Sequence, residues 1–250
     1  MFYAGLILSA VIGLSLGLIG GGGSILTVPI LVYFLRVEAH EAVGMSLAVV
    51  GATSLFGSYL HWRRGSVVFS SGLLFGGAGI FGAFLGSPLT HLVSPETLLL
   101  IFGALMLVVA ISMLWRNRHT GQETLREANK TKAILSGFGV GVLTGFLGVG
   151  GGFLIVPALV LFGGLAVKEA IGTSLLVIFL NCVAGLIGHA SQNDFNWSLT
   201  LLVMILAVGG TILGAALSHR LAAHRLQKMF AYLVLTVAVF LIAKNYAVLW

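Results

Sequence analysis

Charged residues are so sparse along this chain that they punctuate it. Counting histidine as neutral, none falls in 1–35, 42–60, 65–95, 97–115, 133–167, 170–193, 195–218 or 229–243. Most of these runs reach the roughly 20 residues that a helix needs to cross a bilayer. The pattern predicts an all-α fold, a polytopic helical membrane protein. Its pieces are 2–19, 25–35, 41–61, 66–91 and 96–115, then 133–147, 153–164, 169–189, 196–219 and 226–243.

The ten pieces are five pieces written twice. Gly20-Gly21-Gly22-Gly23 followed by Pro29 returns as Gly148-Val149-Gly150-Gly151 followed by Pro157. The offset is 128 residues, from 20 to 148, and it carries Glu41, Gly44, Ser46 and His61 onto Glu169, Gly172, Ser174 and His189. It also carries Gly82, Gly86 and His91 onto Gly210, Gly214 and His219. Aligned without a gap, the two halves share about thirty identities in about a hundred pairs, the mark of an internal duplication. The organisation predicted is a first transmembrane repeat over 1–115, a basic cytoplasmic linker over 116–132 and a second transmembrane repeat over 133–250.

Composition supports the membrane reading. The chain is 58% hydrophobic and 8% charged, against roughly 25% charged in soluble domains. The net charge of +6 does not imply nucleic acid. Five of the basic residues lie in 116–132 and others sit at helix ends, which is the bias of cytoplasmic loops. Cys182 is the only cysteine, so no intrachain disulfide is expected. Met1-Phe2-Tyr3-Ala4-Gly5 has no positive leader region and reads as membrane segment, not signal peptide.

Loop charge sets the relative orientation of the repeats. Arg63-Arg64 follows the third piece of the first half, whereas the equivalent loop near Asp194 has no basic residue. After the fourth piece the bias reverses: Ser94-Pro95-Glu96 in the first half, Arg220, Arg225 and Lys228 in the second. The positive-inside rule then predicts two inverted repeats. Loops 63–64 and 117–120 are expected inside, 192–194 and the C-terminus outside. Inversion needs an odd number of crossings per half. Pieces three to five supply three, so the first two add zero or two. As a helix 25–35 is only about 17 Å long, against about 30 Å of hydrocarbon. A glycine-tipped re-entrant or broken hairpin is therefore preferred to two full crossings.

Candidate chemistry gathers at the glycines. Contiguous glycines weaken a helix by roughly 1 kcal/mol each, and freed backbone in a bilayer must face protein or a watery cavity. Successive N–H groups and the positive ends of the helices that follow suit a small anion. The candidate binding residues are Gly20, Gly21, Gly22, Gly23 and Ser24 in the first tip, with Gly148, Gly150, Gly151 and Gly152 in the second. Ser46, Thr173, Ser174 and Asn181 lie on the third helix of each half, with Ser46 and Ser174 one turn in and Asn181 two turns later. These residues face the tips as hydroxyl or amide donors, or else they bond their own backbone or a neighbouring helix. Gly13-xxx-Gly17 and Gly82-xxx-Gly86, with their repeats, read as helix packing. Glu41 and Glu169 read first as helix caps. No cluster has metal-ligand spacing, and neither a cofactor nor a catalytic residue is predicted.

The glycine tip followed by proline, with Gly44-Met45-Ser46 and Gly172-Thr173-Ser174 on the next helix, resembles the TauE/SafE family of membrane permeases. The resemblance covers both halves. It implies a secondary transporter, an exporter, of sulfite or organosulfonates across the bacterial inner membrane by alternating access. The residues themselves reach only a small anion, and they leave open whether a proton or cation is coupled. Alternatives are an anion channel, a membrane assembly subunit, or an intramembrane serine hydrolase built on Ser24.

Overall fold

The computed structural model describes residues 2–86, 95–116, 130–147, 152–189 and 196–245. Every element among them is helical: α1 (Phe2–Ile19), α2 (Gly22–Pro29), α3 (Ala39–Trp62), α4 (Phe69–Gly86), α5 (Pro95–Arg116), α6 (Lys130–Leu147), α7 (Gly152–Leu161), α8 (Val167–His189), α9 (Trp197–Arg220) and α10 (Ala223–Asn245). A π-helical turn, Ile30–Phe34, continues α2. Pro29 explains it, since a proline inside a helix removes a backbone donor and crowds the preceding turn. Four segments are long and apolar enough to span a membrane: Glu41–Trp62, Phe69–Gly86, Val167–Ile187 and Trp197–Arg220. The linker from 117 to 129, Gly148, Gly150, Gly151, His91 and Asp194 lie outside the described residues.

The predicted hairpin forms in the first half. The chain turns at Gly20, whose φ of +80° suits glycine because a β-carbon is disfavoured there. The α2 segment then runs back along α1, so that a β-carbon on Gly5 would meet Leu35 at 2.6 Å. The boundary differs from the expected one. Gly22 and Gly23 form the first turn of α2, where N–H groups have no intrahelical partner and glycine is least disruptive. Likewise α7 begins at Gly152, not Phe153.

The halves are interlocked. Helix α1 packs on α9, and α6, its equivalent, packs on α4. Glycine makes both contacts possible. Gly13 lies on the Ala207 backbone and Gly17 on Thr211; at the 128-residue offset, Gly141 lies on Gly79 and Gly145 on Ala83. Gly210 against Ala10 is matched by Gly82 against Phe138. The Gly-xxx-Gly spacings thus serve packing, as expected.

Equivalent helices α3 and α8 also pack on each other. Leu47 lies on Gly185, Gly51 on Cys182, Gly57 on Leu175 and His61 on Gly172. Positions fall on one helix as they rise on the other, so the two run antiparallel. The Leu47–Gly185 contact becomes Gly57–Leu175 when both residues are shifted by the offset. A local two-fold axis therefore crosses this pair. Helices α5 and α10 pair antiparallel too, with the Gln227 side-chain amide donating to the Met113 carbonyl at 2.8 Å.

Polar links fasten the ends. Arg64 donates to the Ala215 carbonyl at 3.0 Å and Lys168 to the His219 carbonyl at 3.3 Å, placing two cations at the negative, C-terminal end of α9. At the opposite end Glu41 accepts from the Asn196 backbone N–H at 2.9 Å. Glu41 thus reaches the other half at Asn196, which precedes α9. Glu169 accepts from Ala166 N–H at 3.0 Å, the capping role expected of it.

Candidate functional site

The first tip meets the start of α7. Gly21 sits against the Gly152 carbonyl, and a β-carbon on Gly152 would lie 2.5 Å from Ser24 Oγ. Ser24 and Gly152 are separated by the offset, 24 plus 128 being 152, so they face each other across the local axis. The N-termini of two short helices, α2 and α7, are thereby brought together. The Ser24 hydroxyl donates to the Gly21 carbonyl at 2.8 Å. Gly22 packs near Ser15, and Gly23 is pressed onto the Ile12 carbonyl. Ser15 Oγ is buried without a hydrogen-bond partner.

Ser174 belongs to this assembly. Its hydroxyl lies 2.8 Å from the carbonyl of Gly20 and 2.8 Å from that of Ile171. It can donate its one proton to either, holding the tip against α8. Thr173 points elsewhere: its Oγ1 accepts from Val68 N–H at 3.0 Å, securing the chain just before α4. Ser46 is buried on α3. Thr53 turns its hydroxyl back on the carbonyls of Val49 and Val50, the local bonding that apolar surroundings favour.

Asn181 lines a small recess between α4, α6, α7 and α8, with Phe75, Gly79, Thr144 and Ile155 among the other walls. Its amide oxygen is buried with no hydrogen-bond partner. The space suits about one water-sized group. The recess and the tip contact are about one turn apart on both α7 and α8, since Ile178 touches the Gly152 position while Asn181 and Ile155, three residues on from Ile178 and Gly152, line the recess.

One polar cluster was not singled out from the sequence. His61, buried on α3, has Nε2 3.1 Å from the Gly17 carbonyl, and its ring lies 5.0 Å from that of His219. His61 Nδ1 and His219 Nε2 are both buried without partners. The repeated histidines were visible, but a ring pair between α3 and α9 follows only from the interlocked packing. Among the described residues no group of three or more His, Cys, Asp or Glu is placed to hold a metal ion.

A family model described as Sulfite exporter TauE/SafE matches residues 5–241. The chain is 37% identical over 247 residues to a probable membrane transporter protein of Xylella fastidiosa, covering 94% of this chain and 93% of that one. It is 30% identical over 214 residues to the probable membrane transporter protein YdhB of Bacillus subtilis, covering 83% and 86%. No solved structure matches the chain significantly. With this match along nearly its whole length and these apolar helices, the chain is a multi-pass membrane protein and belongs to the TauE/SafE family of membrane transporters.

Proposed function

We propose that the protein is a secondary exporter of small oxyanions, sulfite or organosulfonates, across the bacterial inner membrane. The observation that carries the reading is the meeting of two glycine-started helices at a local two-fold axis. First-turn N–H groups without intrahelical partners and the positive ends of α2 and α7 favour negative charge at this point. The glycines keep side chains from blocking the approach. Gly20 to Ser24, Ser46, Gly148, Gly150 to Gly152, Thr173, Ser174 and Asn181 are the residues assigned to substrate, with Ser174 acting by holding the first tip and Thr173 by holding α4.

Alternating access is supported by the antiparallel pairing of α3 with its own repeat α8. A two-fold axis between two antiparallel spanning helices lies in the membrane plane, so the repeats are inverted and each presents its hairpin from a different face. Rocking one repeat on the other then exposes the same centre to either side. The sulfur chemistry is carried by the family match; the centre itself supplies affinity for an anion. Purified protein in liposomes should move radiolabelled sulfite or a sulfonate, and Gly22→Val should abolish that flux. Absence of flux across a panel of anions would refute the proposal. Reporter fusions inside at 63–64 and outside at 192–194 are expected; the same side for both would refute inversion.

A further inference from the structure

The recess at Asn181 has a counterpart position between α1, α3 and α9, and the two are filled differently. At the offset, Gly79 corresponds to Ala207, Gly137 to Ser9, Thr144 to Leu16 and Asn181 to Thr53. Ser9, Leu16, Thr53 and Ala207 are all completely buried. Ser9 and Thr53 satisfy their hydroxyls on their own helices, Ser9 at 2.8 Å from the Gly5 carbonyl. That side is closed, apolar in outline and hydrogen-bonded. The recess between α4, α6, α7 and α8 keeps the same frame but has glycine in place of Ala207 and Ser9, threonine in place of Leu16 and an amide in place of the Thr53 hydroxyl, while Phe75 and Ile155 stand where the counterpart has Val203 and Thr27.

Packing alone does not account for this. The glycines admit α6 against α4, and a gap left by such a contact needs only apolar walls. A buried, unpartnered amide oxygen in one is an open request for a polar group, because buried polar atoms are ordinarily paired. The unpaired atom is the amide oxygen, an acceptor, so an anion is held only with the amide turned to present its N–H₂ as donor. Thr144 stands on the same wall, its hydroxyl 3.0 Å from the Gly141 carbonyl. Rotation about its C–O bond frees that proton for a ligand.

We propose that this recess is a one-sided seat for the polar head of the transported anion, held by the Asn181 amide and the Thr144 hydroxyl, with no equal in the first half. The inference rests on the transport reading. The space suits one oxygen of a sulfite or sulfonate group, while the rest of the anion lies toward the tip contact one turn away.

The repeat itself supplies the test. Thr144→Leu and Asn181→Thr introduce the residues that the first half tolerates at equivalent positions; Leu16→Thr with Thr53→Asn makes the opposite exchange. Flux of sulfite, methanesulfonate and 2-aminoethanesulfonate is measured in liposomes, with size-exclusion profiles and thermal melting as checks on folding. The filled double variant should lose about tenfold or more of the flux, as expected when a site built for hydrogen bonds loses them. The single variant Asn181→Thr should lose part of it with an unchanged melting profile. The opposite exchange should leave flux within about twofold of the parent, since Asn181 and Thr144 are intact. Flux that survives filling overturns the seat while leaving transport intact, and so does equal loss from the opposite exchange. A parent protein that moves none of the anions overturns the transport reading and the seat with it.

Discussion

Set side by side at the 128-residue offset, the two halves have the same helix contacts and different interiors. Helix α1 on α9 repeats α4 on α6 nearly atom for atom at the glycines. The α1–α9 contact is filled by Ile12, Leu16 and Ala207, whereas the α4–α6 contact holds Thr144, the nearby Asn181 and a gap. The comparison separates two kinds of constraint. Close helix approach is set by backbone and tolerates no side chain, so glycine recurs in both copies at Gly13 and Gly141, Gly17 and Gly145, and Gly82 and Gly210. Filling is set by side chains and is free to diverge wherever a gap has a use.

The largest expected effect tests the shared frame. Gly13→Leu and Gly141→Leu each drive a β-carbon into a facing backbone carbonyl, of Ala207 and Gly79 respectively. Each should destabilise by about 4 kcal/mol or more and abolish a monodisperse profile in detergent. Equal damage in the two halves is the point; a tolerated change in either would break the equivalence. Gly139 has open space around it, so Gly139→Ala should behave like the parent.

The axial contact comes next. Gly152→Ser crowds Ser24 and should cost about 1–3 kcal/mol. Adding Ser24→Gly exchanges the two residues across the axis and should recover most of the loss. Failure to recover in thermal melting would mean that the two do not share one space. Smaller again is Ser174→Ala, which removes the hydroxyl at the Gly20 carbonyl. About 1 kcal/mol of stability is expected to go, together with a larger share of flux, because the tip loses its hold on α8.

The smallest effect contrasts two helix ends. Gly164 (φ +71°) ends α7 and its equivalent Arg36 (φ +58°) ends the α2 segment. Both follow the same pattern, with Val37 N–H on the Leu31 carbonyl and Leu165 N–H on the Leu159 carbonyl, each at 3.0–3.1 Å. A non-glycine residue there costs roughly 1–2 kcal/mol, but glycine's extra unfolded-chain entropy offsets roughly 0.5–1 kcal/mol of it, leaving under about 1 kcal/mol. Arg36→Gly should raise the melting temperature by about 2–4 °C, and Gly164→Ala should lower it by a similar amount.

Much of the frame was legible because the duplication is legible. Helix number, the hairpin in the first half and the packing role of Gly13, Gly17 and Gly82 followed from neutral runs and spacing. Partner choice did not, since nothing local to α1 states that its glycines meet α9. Glu41 read as a cap, and its bond to Asn196 depends on that pairing. The tip was only partly legible: Gly22 and Gly23 read as helix breakers, yet a first turn has few bonds to break. The recess was hidden because it consists mainly of missing side chains. Comparing Leu16 with Thr144 and Thr53 with Asn181 along the repeat would have pointed to it.

The interlocked packing also bears on how the protein is made. Helix α1 is finished at residue 19, but its partner α9 begins at 197, which is 197 − 19 = 178 residues later. At about 5–20 residues per second of synthesis, α1 waits roughly 10–35 s with its glycine stripe uncovered. Helices α4 and α6 have no such delay, being separated only by α5. The α4–α6 frame therefore closes first, around the recess, and the α1–α9 frame completes last by docking α1 onto a nearly finished molecule. A ribosome arrested before α9 would hold a chain whose first helix is still open to pairing with the wrong neighbour.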